Sequence, residues 1–195
     1  MVLAMNKSAI MEKAVAIANE QGLENVTIAN LSRAFSVKPP SLYKHIENIN
    51  AIMEDLAVLC MQELIHIIQS ECFGLSGDRA IVQFCHSSRS FALRNPGLYQ
   101  AMHIYQGKEY RELAVSLIDM ISKMLAPYNI EKNKIIHVIR HLRALLHGFT
   151  DLEIKNGFAM QEKISDSFSL AVSGFVYQLH YYGHKGVKNE KPYKT

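Results

Sequence analysis

Residues 27–46, TIANLSRAFSVKPPSLYKHI, constrain the fold of this chain more than any other stretch. Two short segments with apolar residues at helical spacing are separated by only three residues, Ser36-Val37-Lys38. Val26 and Leu31 flank Thr27 at the spacing of a hydrophobic staple, so Thr27 is predicted to cap the first of these helices. The stretch therefore predicts two short helices joined by a tight turn.

The second of the two helices is predicted to present a polar outer face. Because Pro40 disfavours helical angles at the residue before it, we place Pro39 at the cap and Pro40 at the first helical position. Leu42 and Ile46 are four residues apart and point inward. The residues left facing outward are Ser41, Tyr43, Lys44 and His45.

The rest of the chain predicts an all-α fold of about nine helices, since no segment alternates with the two-residue period of a strand. Residues 1–50 form a first domain of three helices, residues 51–69 a connecting helix, residues 70–184 a larger helical bundle, and residues 185–195 a basic, mobile tail. The later helices are predicted from Asn48 or Asn50 to Gln69 and at 78–94, 98–106, 108–125, 131–156 and 164–182, with Gly183 closing the last.

Composition excludes several classes of protein. With 49% hydrophobic residues the chain can bury a sizeable core, and a net charge of +3 permits a nucleic-acid partner without indicating one. Three cysteines without a close pair argue against a disulfide framework or a zinc site. No apolar run approaches the ~18 residues of a membrane span, so a soluble cytoplasmic protein without a membrane partner is expected.

The first fifty to sixty residues resemble the TetR family of transcriptional repressors. That family shows T-x-x-x-I/L-A at its second helix, A-G-V in the turn and L-Y-x-H-F at the end of the third. Here the corresponding residues are Thr27 to Ser32, Phe35-Ser36-Val37 and Leu42 to Ile46, and the match covers roughly residues 8–60. Ser32 and Ser36 replace the usual alanine and glycine, and Ile49 stands where the family often has a phosphate-binding lysine.

A later part of the chain resembles one subgroup of that family. The segments Asn95 to Tyr99 and Leu142 to Phe149 carry this resemblance. The subgroup is known for a Trp, a His and a Gly in its C-terminal domain. His147 and Gly148 match, whereas the chain contains no Trp.

The resemblance implies a DNA site at the start of the third helix. Lys38, Pro39, Pro40 and Ser41 are expected to face bases, since that helix end enters the major groove in helix-turn-helix proteins. Phosphate contacts are expected from Thr27, Tyr43, Lys44, His45 and either Asn48 or Asn50. From the residues alone, ordinary turn and packing roles are an open alternative. The nearly balanced charge of residues 1–50 implies that two copies bind a palindromic operator together.

In the family, the last two helices of each subunit form a four-helix interface, which implies a homodimer here. Small residues beside aromatic ones allow close helix approach, and the alternative is that they pack within the chain. The interface residues that we predict are Gly148, Phe149, Leu152, Ala171, Gly174 and Phe175.

The second domain is expected to bind a small-molecule effector without a cofactor. Apolar and polarisable side chains with a few polar tips suit such a pocket, although most of them would serve equally in a core. The pocket residues that we predict are Met102, His103, Met120 and His141. His137 and His141 have a spacing that can hold a metal on one helix face, but no carboxylate lies near them in sequence, so no metal site is predicted.

The sequence thus predicts a ligand-responsive, DNA-binding repressor and not an enzyme. A metal-sensing repressor is the first alternative. An all-helical enzyme using His, Tyr or Cys is the second, and no signature of a nucleophile, base and orienting acid supports it.

Overall fold

A computed structural model describes residues 5–184, and all regular structure in that range is helical. The prediction of an all-α fold with about nine helices is confirmed. The α-helices are α1 (Lys7–Gln21), α2 (Ile28–Ala34), α3 (Pro39–Leu42), α4 (Ile49–Glu71), α5 (Gly77–Arg94), α6 (Pro96–Ile104), α7 (Lys108–Leu125), α8 (Lys132–Ile154) and α9 (Ile164–His184). Two short 3-10 helices lie at Leu23–Asn25 and Ala126–Tyr128.

The chain divides into two compact units. The first contains the described residues up to Ile67 together with Ser90–Ser116, and the second contains Ile68–Arg89 and the described residues from Leu117 onward. The predicted DNA-binding segment 1–50 falls within the first unit. The predicted tail, residues 185–195, lies outside the described residues.

Helix α1 is the centre of the first unit. Its apolar stripe, Ile10, Ala14, Ile17 and Ala18, is buried, and the helix packs against α2 and α6. Asn6 starts the helix, because its side-chain oxygen accepts a hydrogen bond from the amide of Ala9 at 2.8 Å.

A polar joint fixes α6 to α1. The side-chain oxygen of Asn19 on α1 accepts hydrogen bonds from the amides of Gly97 and Leu98 at 3.0 and 3.3 Å, and its amide group donates to Asn95 at 3.3 Å. A Cβ atom on Gly97 would overlap the backbone carbonyl of Ala18. Only glycine allows so close an approach at this position, so the contact depends on Gly97.

Helices α5, α8 and α9 all contribute buried side chains to the core of the second unit. Val172, Phe168 and Phe175 of α9 are buried. Arg89 and Glu153 form a bidentate ion pair, with Arg89 Nε donating to a Glu153 carboxylate oxygen at 2.6 Å, and both side chains are largely buried. The guanidinium of Arg89 also lies 5.0 Å from the ring centroid of Phe168, which gives the charge a further partner.

A second polar group connects α5, the 3-10 helix at 126–128 and α9. The hydroxyl of Tyr128 donates to Asp78 at 2.6 Å, and Nε2 of His180 lies 2.8 Å from the same oxygen. The hydrogen bond from Tyr128, followed by that from His180, holds the pKa of Asp78 below its usual range. Burial and the Asp78 carboxylate raise the pKa of Tyr128.

The structure corrects two details of the predicted third helix. Lys38, not Pro39, is the N-cap, and the two prolines occupy the first two helical positions, where no amide hydrogen bond is required. The α-helical segment ends at Leu42, and a turn closed by hydrogen bonds from His45 and Ile46 to the Leu42 carbonyl continues it.

Other predicted helix ends were wrong by a few residues. Helix α6 begins at Pro96 and ends at Ile104, because Pro96 occupies its first turn instead of separating two helices. Helix α4 runs on to Glu71, α8 ends at Ile154, and α9 continues through Gly183. A Cβ atom on Gly183 would overlap the backbone oxygen of Tyr128, so this glycine serves close packing and not helix termination.

Candidate nucleic-acid interface

Thr27 starts the helix-turn-helix as the sequence predicts. Its hydroxyl oxygen accepts a hydrogen bond from the amide of Asn30 at 3.1 Å. The side chain of Asn30 donates to the carbonyl of Asn25 at 2.7 Å and accepts from Arg33 at 2.9 Å. These bonds fix the start of α2 against the preceding segment.

The turn between α2 and α3 depends on Ser36. This residue has a φ of 54°, the left-handed conformation that favours glycine. The amides of Ser36 and Val37 donate to the carbonyls of Arg33 and Ser32, each at 3.0 Å. The turn is thus closed by backbone hydrogen bonds, and it directs the chain into α3 despite the strained serine.

Helix α3 separates a buried side from an exposed side. Leu42 is fully buried and Ile46 is 6% exposed, so they anchor the segment to the first unit. Lys38, Pro39 and Pro40 are exposed and Ser41 is half-buried. The residues that we predict to face bases therefore lie together at the exposed start of α3.

The residues predicted to contact phosphate follow in the turn after α3. Tyr43 is 53% exposed, which is high for a tyrosine, and Lys44 and His45 are also exposed. Asn48 caps α4, since its side-chain oxygen accepts from the amide of Ala51 at 2.9 Å, and its amide group is left to donate. Asn50 is exposed on the first turn of α4.

Sequence reasoning missed one candidate, Arg33. This side chain is exposed at the end of α2, immediately before the turn, and its hydrogen bond to Asn30 orients it. In helix-turn-helix proteins the first helix of the pair crosses the phosphate backbone, so a cation at this place suits a phosphate contact. The position of Arg33 on the helix that begins after the cap at Thr27 could have indicated this contact from the sequence.

The predicted effector residues are divided between the two units. Met102 is buried on α6 with its sulfur 3.8 Å from that of Cys60, and the ring of His103 packs edge-on against Tyr99. Met120 lines a cleft of about 230 Å³ in the second unit. His141 is exposed and packs edge-on against the ring of Phe175.

The predicted dimer residues differ in their exposure. Gly148 and Gly174 are exposed with open space around them, and Leu152 is 48% exposed. Phe175 is buried within the chain, whereas Phe149 and Ala171 are half-buried.

His137 and His141 are both exposed on α8. Among residues 5–184, no group of three or more His, Cys, Asp and Glu side chains is arranged to hold a metal ion. None of the helices in this range is long and apolar enough to cross a membrane.

The fold and the exposed start of α3 define a helix-turn-helix DNA-binding protein. The "Tetracyclin repressor-like, C-terminal domain" family model matches residues 81–175. The uncharacterized HTH-type transcriptional regulator YobS of Bacillus subtilis (strain 168) is 33% identical over 177 residues, which cover 89% of this chain and 92% of YobS. The chain belongs to the TetR family of transcriptional regulators.

Solved structures show the same fold. A protein of unknown function from Rhodococcus sp. RHA1 matches with a TM-score of 0.78 at 16% identity, covering 91% of this chain and 96% of that one. BioQ with its natural double-stranded DNA operator matches with a TM-score of 0.64 at 16% identity, covering 89% and 99%.

Members of the TetR family are DNA-binding regulators and not enzymes, and this chain is accordingly a DNA-binding transcriptional regulator. The expectation that it is not an enzyme is confirmed by these relatives.

Proposed function

We propose that this regulator is a cytoplasmic repressor that binds a palindromic operator as a homodimer and is released by a small-molecule effector. The observation that carries the proposal is the exposed cluster from Lys38 to His45, which the buried side chains of Leu42 and Ile46 anchor. A segment held so firmly on its inner side presents its outer side chains at a defined place in a groove.

The two parts of this cluster have different chemistry. Lys38 and Ser41 can form hydrogen bonds with base edges, and the rings of Pro39 and Pro40 suit contact with thymine methyl groups. Tyr43, Lys44 and His45 in the turn suit phosphate oxygens, which set the register of the protein on the duplex.

Exposed apolar side chains on α8 and α9 support the homodimer. Leu170, Tyr177 and Tyr181 are 75%, 77% and 50% exposed, and with Gly174 they follow the helical spacing of one face of α9. A water-exposed stripe of this kind marks an interaction surface, and the open space at Gly148 and Gly174 allows another helix to approach. A second copy also doubles the number of phosphate contacts.

The dimer has two conformations that differ in the distance between the two DNA-reading segments, and the effector binds one conformation more tightly than the other. A ligand of equal affinity for both conformations would not shift the equilibrium between them. In the second unit the candidate contacts are His141 and the cleft that Met120 lines. Met102 and His103 are separate candidates within the first unit.

Operator binding is tested by selecting genomic fragments on the purified protein and footprinting the best of them. We expect a protected palindrome, and we expect Lys44→Ala to weaken all fragments alike and reduce the slope of log affinity against log salt by about 1 per subunit. Lys163→Ala, which removes an exposed charge next to α9, is the control and should leave that slope unchanged. Protection without any sequence preference would contradict the proposal.

The homodimer is tested by sedimentation of Tyr177→Glu. A charge in the centre of the exposed α9 stripe should shift the protein to monomer and abolish cooperative operator binding. Val115→Glu is the matched control, since Val115 on α7 is 67% exposed and lies outside the stripe. An unchanged dimer in Tyr177→Glu would exclude this surface.

A further inference from the structure

Three sulfur-containing residues line one cleft in the second unit. Cys72 lies immediately after α4, and Met120 and Met124 lie on α7, in the cleft of about 230 Å³. Much of the remaining wall is apolar, from Ile68, Phe73 and Leu75. The cleft therefore combines sulfur-containing side chains with apolar neighbours, of which Phe73 is 89% exposed.

The positions of the three residues suit a common ligand. Met120 and Met124 are four residues apart, so both side chains project from one face of α7. Both are half-buried, and the three rotatable bonds of each methionine allow its sulfur to adjust. Cys72 is only 7% exposed, and its sulfur lies 3.9 Å from the carbonyl oxygen of Ala80 on α5.

We propose that this cleft binds one Cu(I) ion through the Cys72 sulfur and the thioethers of Met120 and Met124. Thiolate and thioether ligands select soft ions of this kind, whereas carboxylate and carbonyl oxygens suit harder ones.

Charge balance distinguishes a monovalent from a divalent ion. When Cu(I) binds, the Cys72 thiol loses its proton to solvent and a sulfur–copper bond forms, with no change in oxidation state. The negative charge of the thiolate then balances the positive charge of Cu(I), and the two thioethers are neutral. Zn²⁺ in the same ligands would leave a net charge of +1 in an apolar wall, which is costly.

The surrounding charges favour a cation. Cys72 directly follows the C-terminal end of α4, where the helix dipole is negative. Lys123 also lines the cleft, but its ammonium is paired with Asp119 at 2.6 Å. Burial, followed by the neighbouring Glu71 carboxylate, raises the pKa of Cys72.

This site differs from the histidine pair considered from the sequence, because His137 and His141 are exposed and belong to no group of three ligands in the described part of the chain. It uses the cleft named above among the candidate effector contacts, and the copper ion itself goes beyond the proposed function. Copper binding is measured without DNA, so its failure would leave operator binding untouched.

The test is anaerobic titration of the full chain with Cu(I) in competition with bicinchoninate. We expect one competitor-resistant Cu(I) per wild-type chain, release of one proton, and a first shell of sulfur by X-ray absorption. Cys72→Ala should lose this ion. Met120→Leu and Met124→Leu keep side-chain volume, and each should weaken binding at least about tenfold, since even outer-shell changes cost that much.

Cys60→Ala and Cys85→Ala are the matched controls, because both thiols are fully buried and neither lines the cleft. Retention of one Cu(I) by both controls and its loss from Cys72→Ala support the site. The proposal is overturned if wild type cannot compete with bicinchoninate, if Cys72→Ala binds like wild type, or if both folded methionine variants do.

Discussion

Substituting alanine for Gly97 tests the joint between α1 and α6. The added methyl group would overlap the backbone carbonyl of Ala18 and lie 2.6 Å from its Cβ atom. Backbone atoms within α1 cannot move aside as the end of a flexible side chain can. Helix α6 must therefore move away from α1, and the hydrogen bonds that Asn19 accepts from Gly97 and Leu98 are lost with it.

The magnitude follows from these contacts. Overpacking costs about 2 kcal/mol, and the two lost hydrogen bonds cost about 1 kcal/mol each. Replacing a helical glycine by alanine stabilises the helix by at most about 1 kcal/mol. The free energy of unfolding should thus fall by about 3 kcal/mol in Gly97→Ala, whereas Asn19→Ala, which loses the same two hydrogen bonds without overpacking, should cost about 2 kcal/mol.

Urea unfolding at fixed protein concentration measures these values. In the double variant the substitutions should cost about 3 kcal/mol, not the sum of the single effects, because Gly97→Ala has already broken the Asn19 hydrogen bonds. Gly107→Ala is the control: its methyl would meet only the carboxylate end of Glu54, at 3.2 Å, so stability should change by less than about 0.5 kcal/mol. Additive effects, or a loss in Gly97→Ala no larger than in the control, would refute the reasoning.

Three further predictions concern strained or buried groups. Ser36→Gly relieves a left-handed serine and should raise the unfolding midpoint by about 2–4 °C, and a lower midpoint would contradict the strain. Tyr128→Phe should cost about 1 kcal/mol at pH 7 in urea unfolding. Because the pKa of Asp78 is lowered in the folded state, this stabilisation is present above about pH 4 and should shrink as pH falls. A stability difference between wild type and Tyr128→Phe that does not change with pH would argue against this role of Asp78. Arg89→Met leaves the Glu153 carboxylate buried and unpaired and should lower the free energy of unfolding by about 3–5 kcal/mol. The double variant Arg89→Met with Glu153→Leu should restore much of that stability. An equal loss of stability in the single and the double variant would exclude a charge effect.

Local signals were sufficient where one segment determines its own structure. Helix α7 was predicted with the bounds Lys108–Leu125 that the structure shows, because Gly107 and Pro127 bracket it closely. The cap at Thr27 was likewise accessible, since staple spacing acts over a few residues. Ser36 stands where the family has glycine, and the structure shows it in the left-handed conformation.

Contacts between distant residues were not accessible in this way. Asn19 and Gly97 meet across 78 positions, and neither the helix break at Asn95-Pro96-Gly97 nor the subgroup resemblance of this segment indicated the contact. The sulfur-lined cleft similarly depends on Cys72 and Met120, which no periodicity connects.

The two prolines at the start of α3 limit how much sequence information the operator can carry. Neither has an amide hydrogen, and the amide of Ser41 already donates to the Lys38 carbonyl at 2.9 Å, so the first three positions of α3 offer DNA no free backbone donor. A sequence logo of the bound fragments should therefore show few positions with a strong base preference in each half-site, next to positions with a weak preference for thymine. Sequences that nearly match one half-site will be common in a genome. The distance between the two half-sites will therefore contribute most to distinguishing the operator from other sites.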